Sequence, residues 1–160
     1  MRPVALRAFA SLIPLVFFAC GGDSTTGPPA DVIPEPLAGR WAAEPACVPS
    51  GCGFILAPVS DPTNTFNATA VLGITTEITI ARSGGFSLTS TGTVPASGTA
   101  RVASPGILVV TSLGGAVDTI DYSISGTALS IHIRKAYTFP YVTSDGVPVP
   151  ANAGGVFHRK

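Results

Sequence analysis

A two-residue hydrophobic period, returning in short segments between turn residues, constrains this chain more than any other feature. In "ITTEITIA" (74–81) Ile74, Thr76, Ile78 and Ile80 fall on one side, and Thr75, Glu77 and Thr79 on the other. "GFSLTST" (85–91) alternates Phe86 and Leu88 with Ser87 and Thr89. "VDTIDYSI" (117–124) sets Ile120, Tyr122 and Ile124 against Asp121 and Ser123, and "ALSIHIRK" (128–135) sets Leu129, Ile131 and Ile133 against Ser130, His132 and Arg134. Successive side chains alternate between two faces in an extended strand, so this period predicts half-buried β-strands. "GILVVTS" (106–112) is apolar on both faces, which predicts a covered strand or one facing a partner. "YTFPYV" (137–142) contains Pro140, which lacks a ladder donor and belongs at an edge or a bulge. "GVFHRK" (155–160) closes the sequence on another strand pattern.

The links between these segments are short. Arg82 to Gly85, with its Gly84-Gly85 pair, and Ser125-Gly126 predict tight hairpins. Hairpins in series make an antiparallel meander, so the fold class is all-β: a small closed barrel, or alternatively a β-sandwich. Closure is favoured because it removes edge strands. Composition agrees. Only 11% of residues are charged, against about 25% in an ordinary soluble domain. The formal net charge is zero, so no basic field for nucleic acid is present.

The amino terminus reads differently. Arg2 and Arg7 flank the start of "AFASLIPLVFFA" (8–19), an apolar run too short for a membrane-spanning helix of about 20 residues. It fits the hydrophobic region of a secretory signal peptide, residues 1–19. The run ends in "VFFAC", which resembles the lipobox of bacterial lipoproteins: Ala19 and Cys20 match, and Phe17 stands where Leu is usual. That resemblance implies cleavage before Cys20, acylation of Cys20 and membrane anchoring through its lipid. Gly21 after the cysteine, rather than Asp, implies the outer membrane of a bacterial envelope. The alternative is ordinary secretion with Cys20 as a free thiol. Residues 20–36 carry four Pro and three Gly, and of their side chains only Val32 and Ile33 can pack. A flexible linker is expected there.

Residues 37–160 form the expected domain. It opens on "LAGRW" (37–41), which resembles the first strand of lipocalin-like proteins through Gly39 and Trp41. The resemblance implies a barrel closed at one end by that tryptophan, with Arg159 packed over it. Alternatively Trp41 is simply the largest core residue of another β fold. Inward residues would be Ile74, Ile78, Ile80, Phe86, Leu88, Ile120, Tyr122, Leu129, Ile131 and Ile133. In a small barrel these line a ligand cavity or simply fill the interior, and a filled interior is the stronger expectation.

Cys47 and Cys52 bracket "CVPSGC" and should form a disulfide in an oxidising compartment. A redox pair is usually C-x-x-C, and a metal would need further ligands. His132 and His158 are expected to be solvated. No G-x-S-x-G occurs, and of the six carboxylates in the domain only Asp118 and Asp121 suggest a pair, on opposite faces of a regular strand. Asn67-Ala68-Thr69 is a glycosylation sequon, incidental in a bacterial lipoprotein. The sequence therefore predicts a non-enzymatic protein without cofactor or metal. It would hold a small apolar ligand inside its barrel, or act as a structural or adhesion-like module through contacts with envelope proteins.

Overall fold

The computed structural model describes residues 32–139, excepting the Phe139 side chain, and 147–160. The expected signal peptide, Cys20, most of the linker and Pro140 lie outside the described residues. In chain order the elements are β1 (Gly39–Ala43), a 3-10 turn (Pro45–Ser50), β2 (Gly53–Pro58), β3 (Phe66–Asn67) and α1 (Ala68–Leu72). They continue with β4 (Thr76–Ile80), β5 (Gly85–Ser90), β6 (Ala96–Ser104), β7 (Ile107–Ser112), β8 (Val117–Ser125), β9 (Ala128–Phe139) and β10 (Val149–Arg159).

From β4 to β10 each strand pairs antiparallel with the next. β1 pairs with β4 on one side and with β10 on the other, through Trp41↔Arg159 and Ala42↔His158. The eight strands thus close into an antiparallel barrel, and the sandwich alternative falls. Closure satisfies the two edges that a meander would otherwise leave with unpaired N–H and C=O groups.

β1 is the first half of an interrupted strand. β2 lies against the same strand, β10, with Gly53 to Pro58 opposite Val156 to Ala151. Between the halves, the chain leaves the sheet for the 3-10 turn, tied off by a Cys47–Cys52 disulfide with the two Cα atoms 5.5 Å apart. β3 then adds to β2 by Ile55↔Asn67 and Leu56↔Phe66. Asn67 caps α1, its side chain accepting from the Ala70 N–H at 3.0 Å.

The alternating segments become strands because one face of each meets the interior. Thr76, Ile78 and Ile80 are buried while Glu77 and Thr79 are only half-buried. Three sequence expectations need correction. Ile74 precedes β4 and is only half-buried. The β8–β9 turn residues are Gly126 and Thr127, because Ser125 pairs with Ala128; Gly126, at φ +58°, takes the left-handed position of the turn. The apolar segment 106–112 is not covered on both sides: Leu108 and Val110 face inward and are buried, while Ile107 and Val109 stay half-buried outside.

The linker boundary also moves. Ile33 is fully buried in the main core with Leu37, Trp41, Leu129 and Phe157, and its N–H donates to the Arg82 carbonyl at 3.1 Å. Packing therefore begins ahead of residue 37. Full burial of an isoleucine is worth about 1.5–3 kcal/mol, enough to offset fixing a residue or two of Pro-rich chain.

Candidate functional site

One end of the barrel is sealed. Residues 34–38 fold into a turn whose Pro34 carbonyl accepts from the N–H groups of Leu37 and Ala38. The Trp41 indole N–H donates to the Leu37 carbonyl at 3.0 Å, which satisfies its one polar atom at zero exposure. The Arg159 guanidinium lies 4.8 Å from the centre of the Trp41 ring. The same group donates to the carbonyls of Pro36 at 2.8 Å, Ala38 at 3.1 Å and Glu35 at 3.4 Å. Gly39 has φ +147°, and a Cβ there would meet the Arg159 guanidinium at 3.6 Å. A residue without a side chain at this point lets the chain turn into β1 beneath that group.

Above this floor the barrel is hollow. A cavity of about 300 Å³ runs along its interior. Ile78, Ile80, Phe86, Leu88, Ile120, Tyr122, Leu129, Ile131 and Ile133 all line it, joined by Leu37, Phe54, Leu108 and Val110. The expectation of a filled interior is corrected here. β6 contributes only the small side chains of Ala96 and Ser97 to this wall. A residue with a Cβ at Gly98 would collide with the backbone of β7.

The wall changes character along its length. Successive inward positions read Ile80, Ile78, Thr76 on β4; Phe86, Leu88, Ser90 on β5; and Leu108, Val110, Ser112 on β7. On β8 they read Tyr122, Ile120, Asp118, and on β9 Leu129, Ile131, Ile133 and then Tyr137. Because neighbouring strands run antiparallel, the polar members of all five series gather at the end opposite Trp41. Thr76 and Ser90 pair there, hydroxyl to hydroxyl, at 2.9 Å. Thr93, Ala96 and Ser97 line the cavity and are exposed, so it reaches solvent at this end.

Among the described residues Asp118 is the one carboxylate lining the cavity. The Tyr137 hydroxyl hydrogen-bonds it, and burial together with that bond and the carboxylate's charge pushes the Tyr137 pKa up to about 12. Asp118 Oδ1 is buried and has no hydrogen-bond partner among the described residues. Sequence reasoning weighed Asp118 only together with Asp121 and gave Tyr137 no role, yet parity marks both. Asp118 is in phase with Ile120 and Tyr122, and Tyr137 with Leu129, Ile131 and Ile133.

Asp121 turns to the outside, where Arg134 donates to it at 2.6 Å and His132 Nδ1 lies 3.7 Å away. The Arg134 hydrogen bonds, more than any other cause, hold the Asp121 carboxyl below its ordinary pKa. His132 is opposite Gly154 and His158 opposite Ala128, so four residues of β9, or about 13 Å, separate their rungs. Among the described residues no three His, Cys, Asp or Glu side chains are grouped to hold a metal. Nor is any described helix long and apolar enough to cross a membrane. Comparison with family models, curated proteins and solved structures finds no match to this chain.

Proposed function

We propose that this protein is a non-enzymatic envelope lipoprotein whose barrel holds a small apolar ligand. The observation that carries the reading is the cavity: about 300 Å³, walled by aliphatic and aromatic side chains, sealed at the Trp41 end and reaching solvent at the other. That volume is at the lower end of the range for small-molecule sites, and an eight-stranded barrel is wide enough for one such guest. Gly39 and Trp41 on the first strand, with Arg159 from the last strand over the indole, support the lipocalin-like reading. The "VFFAC" segment supports removal of residues 1–19, acylation of Cys20 and an outer-membrane address, with residues 20–32 as the tether. Two or more acyl chains on one cysteine anchor stably where a single chain does not.

Native mass spectrometry of the protein purified from cells expressing the full chain tests both halves. An acyl mass on Cys20 is expected, together with an intact Cys47–Cys52 bond and a stoichiometric adduct on addition of a neutral ten-carbon alcohol. Val110→Phe, which places a ring in the cavity, should abolish that adduct. A mass without acyl groups would overturn the anchoring. Equal adducts on the wild type and on Val110→Phe, or none on either, would overturn ligand binding in the barrel.

A further inference from the structure

The cavity's apolar wall selects for size and hydrophobicity only, whereas its open end carries a specific chemical signal. Asp118 Oδ1 is buried and accepts from no group among the described residues. A buried acceptor without a donor is costly, and native proteins nearly always satisfy such atoms. The polar side chains that share this end of the cavity do not relieve it. The Tyr137 hydroxyl already donates to this carboxylate, and one hydroxyl has one proton to give. Thr76 and Ser90 pair with each other. The Ser112 hydroxyl accepts from the Ala116 N–H and does not reach Asp118 Oδ1.

No Lys or Arg lines the cavity, so Asp118 supplies its one formal charge among the described residues. The nearest charge on the adjoining strand is Lys135. Its side chain is exposed and its ammonium lies over the Tyr137 ring, 5.3 Å from the centroid, without lining the cavity. Arg134 and His132, also on β9, face outward toward Asp121. A fatty acid entering tail first would set its carboxylate against Asp118. A molecule with an apolar body and a protonated amine would instead bring the opposite charge to this carboxylate.

Resting on the proposed apolar binding, we propose that the ligand is a cationic amphiphile, its hydrocarbon portion in the barrel and its ammonium group paired with the Asp118 carboxylate that lines the cavity. Tyr137 then acts as a positioning residue, its hydroxyl holding the carboxylate toward the incoming head group. A charge-assisted hydrogen bond is the strong kind, and the charge is lost when the carboxylate becomes an amide.

The test compares decylammonium, decanol and decanoate at neutral pH, each below its micellar concentration, on protein purified from the full chain. The wild type should bind decylammonium at least about tenfold more tightly than decanol, with decanoate weakest. Asp118→Asn should remove the preference for the amine while leaving decanol affinity within about threefold. If all three ligands bind the wild type alike, or decanoate binds best, the head-group inference is overturned and apolar binding stands. If none binds, the apolar reading itself falls, and this inference with it. The wild-type ranking decides the matter even if Asp118→Asn fails to fold. Tyr137→Phe supplies a second variant, expected to narrow the amine preference without abolishing binding of the alcohol. An unchanged preference in both variants would overturn the assignment to this carboxylate.

Discussion

Arg159 stacks on Trp41 and donates to three carbonyls of the preceding turn, so a single guanidinium ties the last strand to the barrel floor. Arg159→Ala should cost about 2 kcal/mol in urea unfolding, the sum expected for a partly exposed cation–π contact and hydrogen bonds from a charged donor. Arg159→Lys should recover less than half, because an ammonium cannot lie flat on the indole while reaching several carbonyls. At the other end Tyr137 is neutral far above the usual range for tyrosine, with its pKa pushed up to about 12. A raised folded-state pKa favours the protonated form. Its contribution to stability is therefore complete below pH of about 10, where the unfolded chain would ionise, and is lost as pH rises to about 12. Spectrophotometric titration of the folded protein should show one tyrosine ionising late, and Tyr137→Phe should remove that phase.

The interrupted first strand sets the behaviour of the elements around it. β1 and β2 both pair with β10, and the disulfide-closed turn between them is an excursion from one continuous edge. Cross-linking so short a loop restricts the unfolded chain only modestly, so Cys47→Ser should cost about 2 kcal/mol. Reductant should bring the wild type to the same value, as read by denaturant midpoint. β10 must also lie unusually close to β2 at Gly155. This residue has φ +145°, and a Cβ there would run into the Gly53 carbonyl. Gly155→Ala should therefore destabilise by at least about 2 kcal/mol, through backbone displacement and strain together. By contrast, Gly51 and Gly115 have open space around them, and only their positive φ resists substitution.

Taken whole, the barrel is dense at one end and hollow at the other, and substitutions should report the difference. Val110→Phe adds volume where about 300 Å³ is empty and should change stability by less than about 1 kcal/mol. Ile33→Phe adds similar bulk to a residue with zero exposure in the sealed floor and should cost about 1–3 kcal/mol. Equal costs from chemical denaturation would contradict a cavity confined to the upper barrel.

Strand identity was legible where alternation was strong. The segments around Ile78, Phe86, Ile120 and Ile131 all became strands with those residues inward, because a pleated chain has two faces and only one could be buried. Gly39, Trp41 and Arg159 could be singled out in advance by their resemblance to a known pattern. Other elements left no such trace. β6, "ASGTARVAS", carries small residues inward, and β2, "GFILAP", is a short apolar run whose period is ambiguous. α1 is a single short turn of helix held by its neighbours and the Asn67 cap. The order of residues determined which side chains face inward. Only the closed tertiary structure decided that a void remains among the inward side chains, that Ile33 plugs the floor, and that Asp118 and Tyr137 meet at the open end. Volume and unpaired polar atoms arise from how eight strands meet in space, and no local period along one strand encodes that sum.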